Sequence, residues 1–167
     1  MAIRPRPPAV RRAGPRDARA LAECHVACWQ EAYGGLVPGA MLDGLDVAER
    51  AERWVTILAD RTSATYLAAL PGEVIGFASS GPCRDPDPAH ALELFAMYVR
   101  AAWHGTGVAD RLLAAAVRDE PASLWVFEAN PRARGFYARH GFHPDGTRQV
   151  EPGTGVPEVR LVRAQRR

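Results

Sequence analysis

The chain of 167 residues has no lysine; all 21 of its basic side chains are arginine. Because alanine, glycine and proline are also abundant, this reads as the codon bias of a GC-rich genome. One consequence is immediate: a phosphate-binding P-loop, which needs a lysine after its glycines, is excluded. Cysteine is scarce too. Cys24, Cys28 and Cys83 are odd in number and scattered, so no disulfide framework is expected and a reducing cytoplasm is the expected compartment. Cys24, His25 and Cys28 share a helical stretch but lack a matching second pair, so no metal site is expected. No apolar run is long enough to span a membrane, and the N-terminal arginines are not followed by the apolar stretch of a secretory signal. Charge of one sign is missing as well. The net charge is +2 and acidic residues are mixed through the arginines, so no basic stripe for nucleic acid is expected.

Nearly half of the residues are apolar, enough for a sizeable core at a length that suits one domain. Residues 1–8, rich in proline and arginine, read as a loose arm, and 9–167 as one folded unit. A short strand fits 9–13. Asp17 is placed to cap a helix over 17–33, with Leu21, Cys24, Cys28 and Ala32 on one face. Residues 34–44 are broken by glycine and proline. Asp46 then caps a helix with Val47, Ala51, Trp54, Val55 and Leu58 on one side. Strands over 65–70 and 73–79 flank Pro71-Gly72, a favoured turn pair. A loop at 81–90 rich in proline and aspartate leads to a strand at 91–99, a helix at 107–118 and a strand at 123–127. A helix at 130–139 has Asn130 as its cap and Pro131 at its first position. Strands at 142–150 and 156–162 complete an α/β (α+β) order with one mixed sheet. The arginines Arg163, Arg166 and Arg167 read as a solvated tail.

Two stretches carry chemistry. The join from strand to helix reads Trp103-His104-Gly105-Thr106-Gly107-Val108-Ala109. Glycines there let the backbone approach a ligand, and free N–H groups at a helix start favour a phosphate. A tight turn without a ligand is the other reading. The second stretch, Asn130-Pro131-Arg132-Ala133-Arg134-Gly135-Phe136-Tyr137-Ala138-Arg139-His140-Gly141-Phe142, follows a strand.

Together these stretches resemble the GNAT superfamily of N-acetyltransferases. The first is similar to its pyrophosphate loop, Q/R-x-x-G-x-G/A, through Gly107 and Ala109, with His104 standing where glutamine or arginine is usual. The second is similar to N-x-x-A-x-x-F-Y-x-x-x-G-F through Asn130, Ala133, Phe136, Tyr137, Gly141 and Phe142. Strand 93–99 resembles the family's fourth strand, and the likeness covers residues 10–162. It implies a largely antiparallel central sheet of about six to seven strands flanked by about four helices, with the fourth and fifth strands splayed.

The resemblance also implies a reaction: acetyl transfer from acetyl-coenzyme A to a primary amine, by direct transfer in a ternary complex and without a metal. Met97, Tyr98 and Val99 would pair with the pantetheine arm. Backbone N–H groups of Gly105, Thr106, Gly107, Val108, Ala109 and Asp110, with His104 beside them, would hold the pyrophosphate. Asn130 and Tyr137 would complete the cofactor site. Tyr137 would protonate the departing thiolate, or else simply pack with Phe136. Glu93, four residues before Met97, would be the base, or else a solvated strand residue. The alternative family position for a base is Trp125, which cannot serve, and Glu128 lies nearby. Trp29 and Tyr33 would wall the acceptor site, or Trp29 is core. The acceptor would be a small molecule or peptide. Family members are often dimeric, which makes a homodimer an expectation. Two rivals stay open: a coenzyme A-binding module without turnover, and a transferase acting on aminoacyl-tRNA, which the missing basic stripe disfavours.

Overall fold

The computed structural model of the protein describes residues 7–164. Seven strands form one sheet: β1 (Ala9–Arg12), β2 (Ala64–Leu70), β3 (Glu73–Pro82), β4 (Leu92–Val99), β5 (Ala122–Phe127), β6 (His143–Val150) and β7 (Pro157–Arg163), in the order β1-β2-β3-β4-β5-β7-β6. All neighbours are antiparallel except β4 and β5, which run parallel. The helices are α1 (Ala18–Ala32), α2 (Gly39–Asp43), α3 (Val47–Ala59), α4 (Val108–Val117) and α5 (Pro131–Arg139). The short α2 was not expected, because its five residues are too few for a helical period to show.

Local chemistry explains most boundaries. Asp46 accepts from the Glu49 N–H at 2.7 Å and Asn130 from the Ala133 N–H at 3.2 Å, so both expected caps form. Asp17 differs. Its carboxylate binds the Arg11 guanidinium and the Gly14 N–H instead of capping α1. Pro71-Gly72 turns β2 into β3 with Gly72 at φ 83°, as a glycine in the third place of such a turn must.

The sheet divides the core. One face packs Ile75, Ala78, Leu94 and Leu124 against Leu112, Leu113 and Val117 of α4. Each fully buried leucine there contributes about 2 kcal/mol. The other face packs Leu67, Val74 and Phe77 against Leu21, Cys24 and Cys28 of α1 and Trp54 of α3. Val55 is not on that face; it is 52% exposed, one residue past Trp54 on the helical turn. Arg163 departs further from expectation. It is no solvated tail residue but is buried in β7, donating to the carbonyls of Arg118 and Glu120. Of the expected arm, residues 1–6 lie outside the described residues, as do Arg166 and Arg167; Pro8 is buried, and its carbonyl accepts from Arg111 at 2.9 Å. No described helix is long and apolar enough to cross a membrane.

Candidate active site

The site begins where the sheet comes apart. β4 and β5 are paired only at Leu92, Glu93 and Leu94. Beyond that point β4 stays bonded to β3 as far as Val99, and β5 stays bonded to β7 as far as Phe127. The edges facing each other across the gap therefore carry backbone groups that no strand satisfies. A cavity of about 720 Å³ fills the gap. Its walls draw on both faces of both strands: Met97 and Val126 from one side, Tyr98 and Phe127 from the other.

A bulge in β4 sets which side chains face which end. Ala96 pairs with Ser79 and Leu94 with Ser80, leaving Phe95 as an extra residue. Regular strand alternation would put Glu93, Phe95, Met97 and Val99 on one face, and the bulge breaks it. Met97 and Val99 pack on the α4 side, whereas Ala96 and Tyr98 face α1. Glu93 shares the face of Ala96 and Tyr98, by the register of Gly81 and Ser79 opposite. Phe95 lies so close over Gly81 that a Cβ there would stand 2.9 Å from its ring.

At one end of the cavity, α4 points its N-terminus inward. Gly105 and Gly107 adopt φ 74° and 82°, conformations that side chains rarely tolerate. The first helical bond is made by Arg111 to Gly107, so the N–H groups of Val108, Ala109 and Asp110 have no helical acceptor. His104, Gly105 and Ala109 line the cavity. His104 Nε2 lies 2.9 Å from the Val99 carbonyl, and Arg132, in the first turn of α5, sets its guanidinium 2.6 Å from His104 Nδ1. Arg132 and Arg139 are also in the wall. The remaining residues expected here contribute only backbone. Thr106 donates its hydroxyl to the Trp103 carbonyl, Val108 is fully buried in the core, and Asp110 pairs with His140.

Helix α5 supplies Tyr137. Its ring is buried, edge-on to Phe136 and Phe142, and its side chain reaches the cavity. The hydroxyl makes no hydrogen bond among the described residues. Burial, reinforced by Tyr98 nearby, pushes its pKa above the usual phenol range, so it holds its proton. Asn130 lines the wall with its side-chain oxygen engaged in the cap.

The other end is aromatic and acidic. Trp29 and Tyr33 from the end of α1 meet Tyr98, with the Tyr33 hydroxyl donating to that of Tyr98 at 3.1 Å, and Tyr33 packs on Phe127. Burial, and then Tyr98 beside it, raise the Tyr33 pKa. Glu93 is buried and bound by Arg84 through its backbone N–H and its guanidinium, which lies over Phe95. Trp125 donates to Asp85, which also pairs with the buried Arg160, fixing the loop after β3 to the wall. Glu158 of β7 and Glu151, just past β6, complete this end.

The structure thus brings Trp29, Tyr33, Glu93, the end of β4, the start of α4 and Tyr137 around one cavity. Arg84, Phe127, Arg132 and Glu158 were not anticipated. Only Arg132 stands inside a recognisable stretch; the others belong to elements that no local signal ties to the site. Glu128 points away and pairs with Arg148. Cys28 reaches the wall but is buried and 3.9 Å from the Cys24 sulfur; that contact and burial push its thiol pKa up, away from a nucleophilic thiolate.

Residues 20–142 match the Acetyltransferase (GNAT) family. The chain belongs to the GNAT family. Among its GNAT relatives, the probable N-acetyltransferase Rv2775 of Mycobacterium tuberculosis is 30% identical over 93% of this chain and 94% of its own length. The uncharacterized N-acetyltransferase YuaI of Bacillus subtilis is 28% identical over 92% and 95%. In fold, the chain is similar to the PaiA N-acetyltransferase of Thermoplasma acidophilum, solved in complex with coenzyme A, with a TM-score of 0.71, 16% identity and coverage of 94% and 98%. The matched GNAT stretch ends before β6 begins at His143, so Glu151 and Glu158 lie beyond it.

Proposed function

We propose that the protein transfers the acetyl group of acetyl-coenzyme A directly to a primary amine bound in the same cavity. The observation that carries this reading is the cavity in the β4–β5 gap, with a left-handed glycine turn at one end and the Tyr137 hydroxyl in its wall. The pyrophosphate rests on the N–H groups of residues 105–109, at the positive end of α4. Arg132 adds a guanidinium beside His104, which stands where the family usually has glutamine or arginine. The pantetheine arm adds as a strand to the free edge of β4 at Met97, Tyr98 and Val99. This carries the thioester into the gap beside Tyr137. The residues hold the cofactor without a metal.

The amine enters from the aromatic end, between Trp29 and Tyr33. It attacks the thioester carbonyl as the neutral base, having given one proton to a carboxylate in the wall. When the C–S bond breaks, the thiolate leaves and Tyr137 gives it a proton; the second proton of the nascent amide nitrogen then restores the phenol. Cys28, protonated and buried, favours direct transfer over an acyl-enzyme. The free cysteines suit a reducing cytoplasm.

A thiol-release assay with acetyl-coenzyme A and a broad amine panel tests the reading, with turnover expected for at least one amine. Coenzyme A binding without turnover of any amine would support a non-catalytic binding module instead.

A further inference from the structure

Glu93 and Glu158, two of the carboxylates that line the cavity, are not equivalent. Glu93 receives three hydrogen bonds from Arg84, at 2.6, 2.9 and 3.2 Å, which leaves it a satisfied half of an ion pair. Glu158 is 9% exposed, and only its Oε2 is engaged, by the Gln149 side-chain amide at 2.9 Å. Its Oε1 takes no hydrogen bond among the described residues. Glu158 pairs with Phe127 across β5 and β7, and Phe127 closes the aromatic cluster of Tyr33 and Tyr98. A carboxylate in a cavity wall, with an open oxygen and no cation bonded to it, is stabilised when a ligand supplies one; Arg84 acts on Glu158 only at a distance.

We propose that Glu158 receives the ammonium group of the acceptor and takes its proton, and that the acceptor is a monocationic amine with an aromatic or bulky apolar body. The assignment rests on the acetyl-transfer reading above. The charge layout of the cavity carries it. The basic side chains His104, Arg132 and Arg139 line the cofactor end; at the acceptor end the basic group is Arg84, already bound to Glu93. Glu151 is engaged by the N–H groups of Gly153 and Thr154. Arg50 lies 5.9 Å over the Trp29 ring but outside the lining, so within the cavity an anionic acceptor would meet carboxylates, whereas an ammonium meets Glu158 and the aromatic rings of Tyr33 and Tyr98.

The proton bookkeeping closes: R–NH₃⁺ and the Glu158 carboxylate become R–NH₂ and a carboxylic acid, which returns its proton to solvent after the amide forms. The groups facing Glu158 are Gln149 on β6, Glu151 beyond it, Glu93 and Tyr98 on β4, Tyr33 at the end of α1 and Arg84 in the loop after β3. Burial, with Glu151 and Glu93 nearby, lifts Glu158 above the usual carboxylate range against the Gln149 hydrogen bond and the Arg84 charge; this brings it nearer the pKa a base for an ammonium needs.

The test uses the full chain and Glu158→Gln, Glu158→Asp and Glu93→Gln. Calorimetry with coenzyme A comes first and separates the two readings. If the wild type does not bind coenzyme A, the acetyl-transfer reading falls; equal binding by wild type and Glu158→Gln shows that the variant is folded. Thiol release is then followed with 2-phenylethylamine, spermidine and phenylacetate. The expected result is turnover of 2-phenylethylamine, with kcat/KM about a hundredfold lower in Glu158→Gln, an acidic limb of the pH profile displaced in that variant, and partial rescue by Glu158→Asp. Glu93→Gln removes one of the charges that lift Glu158 and releases Arg84, so it should keep an acidic limb, displaced to lower pH. The proposal is overturned if Glu158→Gln keeps the wild-type rate and profile, if Glu93→Gln and not Glu158→Gln abolishes the acidic limb, or if a coenzyme A-binding wild type leaves 2-phenylethylamine untouched.

Discussion

The two ends of the cavity are built in opposite ways. The end proposed for the cofactor is made from short contiguous stretches: residues 103–109 turn into α4, and 130–137 start α5. Its donors are mostly backbone N–H groups, whose positions follow from where a helix starts and where glycine permits a left-handed turn. The acceptor end is assembled from the end of α1, the bulged β4, the loop after β3, and β7. Its chemistry lies in side chains that are far apart in sequence. A site of the first kind tolerates a change such as His104 in place of the usual residue, because backbone supplies most of the contacts. A site of the second kind is redefined by each substitution, as expected where one scaffold serves many acceptors.

The largest effect should come from the backbone of the cofactor end. Gly107→Val places a β-branched residue at φ 82° and puts methyl groups where the pyrophosphate approaches. No described atom lies within 4 Å of the new Cβ, so the domain should still fold while coenzyme A affinity drops by about a hundredfold or more. Calorimetry on a variant shown to be folded by circular dichroism checks this; unchanged affinity would break the contrast between the two ends.

Next in size is Tyr137→Phe. It removes one hydroxyl and leaves the ring packed on Phe136 and Phe142. Turnover should fall by about a hundredfold with coenzyme A affinity unchanged, the mark of a lost general acid. Pre-steady-state acetyl transfer at the wild-type rate would reduce the residue to packing.

A smaller effect concerns stability beneath the acceptor end. His25 stacks on Tyr98, beside Trp29, Trp54 and Phe77, with Nδ1 buried and unpartnered. Burial, and then Arg50, push its pKa down to about 3. The folded state therefore binds fewer protons than the unfolded chain below about pH 6.5, and stability complete above that value is lost progressively as pH falls toward 3. Between pH 7 and 5 the loss from this residue should be about 2 kcal/mol. Urea midpoints of wild type and His25→Phe across that range measure it; parallel curves would contradict it.

The smallest expected effect is that of Cys28→Ala. If transfer is direct, turnover stays within about twofold, since the thiol is protonated and buried. A collapse of activity with intact coenzyme A binding would instead point to an acyl-enzyme at the acceptor end.

By itself the sequence determined the family resemblance and the helices and strands other than α2, and it singled out the two stretches proposed to hold the cofactor. Helical and strand periods, glycine turns and the caps at Asp46 and Asn130 are local physics, set by neighbours a few residues away. What only the tertiary structure decided is the acceptor end. The bulge at Phe95 depends on β3 opposite, and it moved Glu93 off the face of Met97. Arg84 reaches Glu93 across a loop, and Arg163, at the end of the chain, turns inward because carbonyls at the end of α4 await a donor. Glu158 sits beside Tyr33 and Phe127 only because β7 inserts between β5 and β6. Such pairings join residues separated by nine to more than a hundred positions, and no periodicity records them; they exist once the sheet order is set.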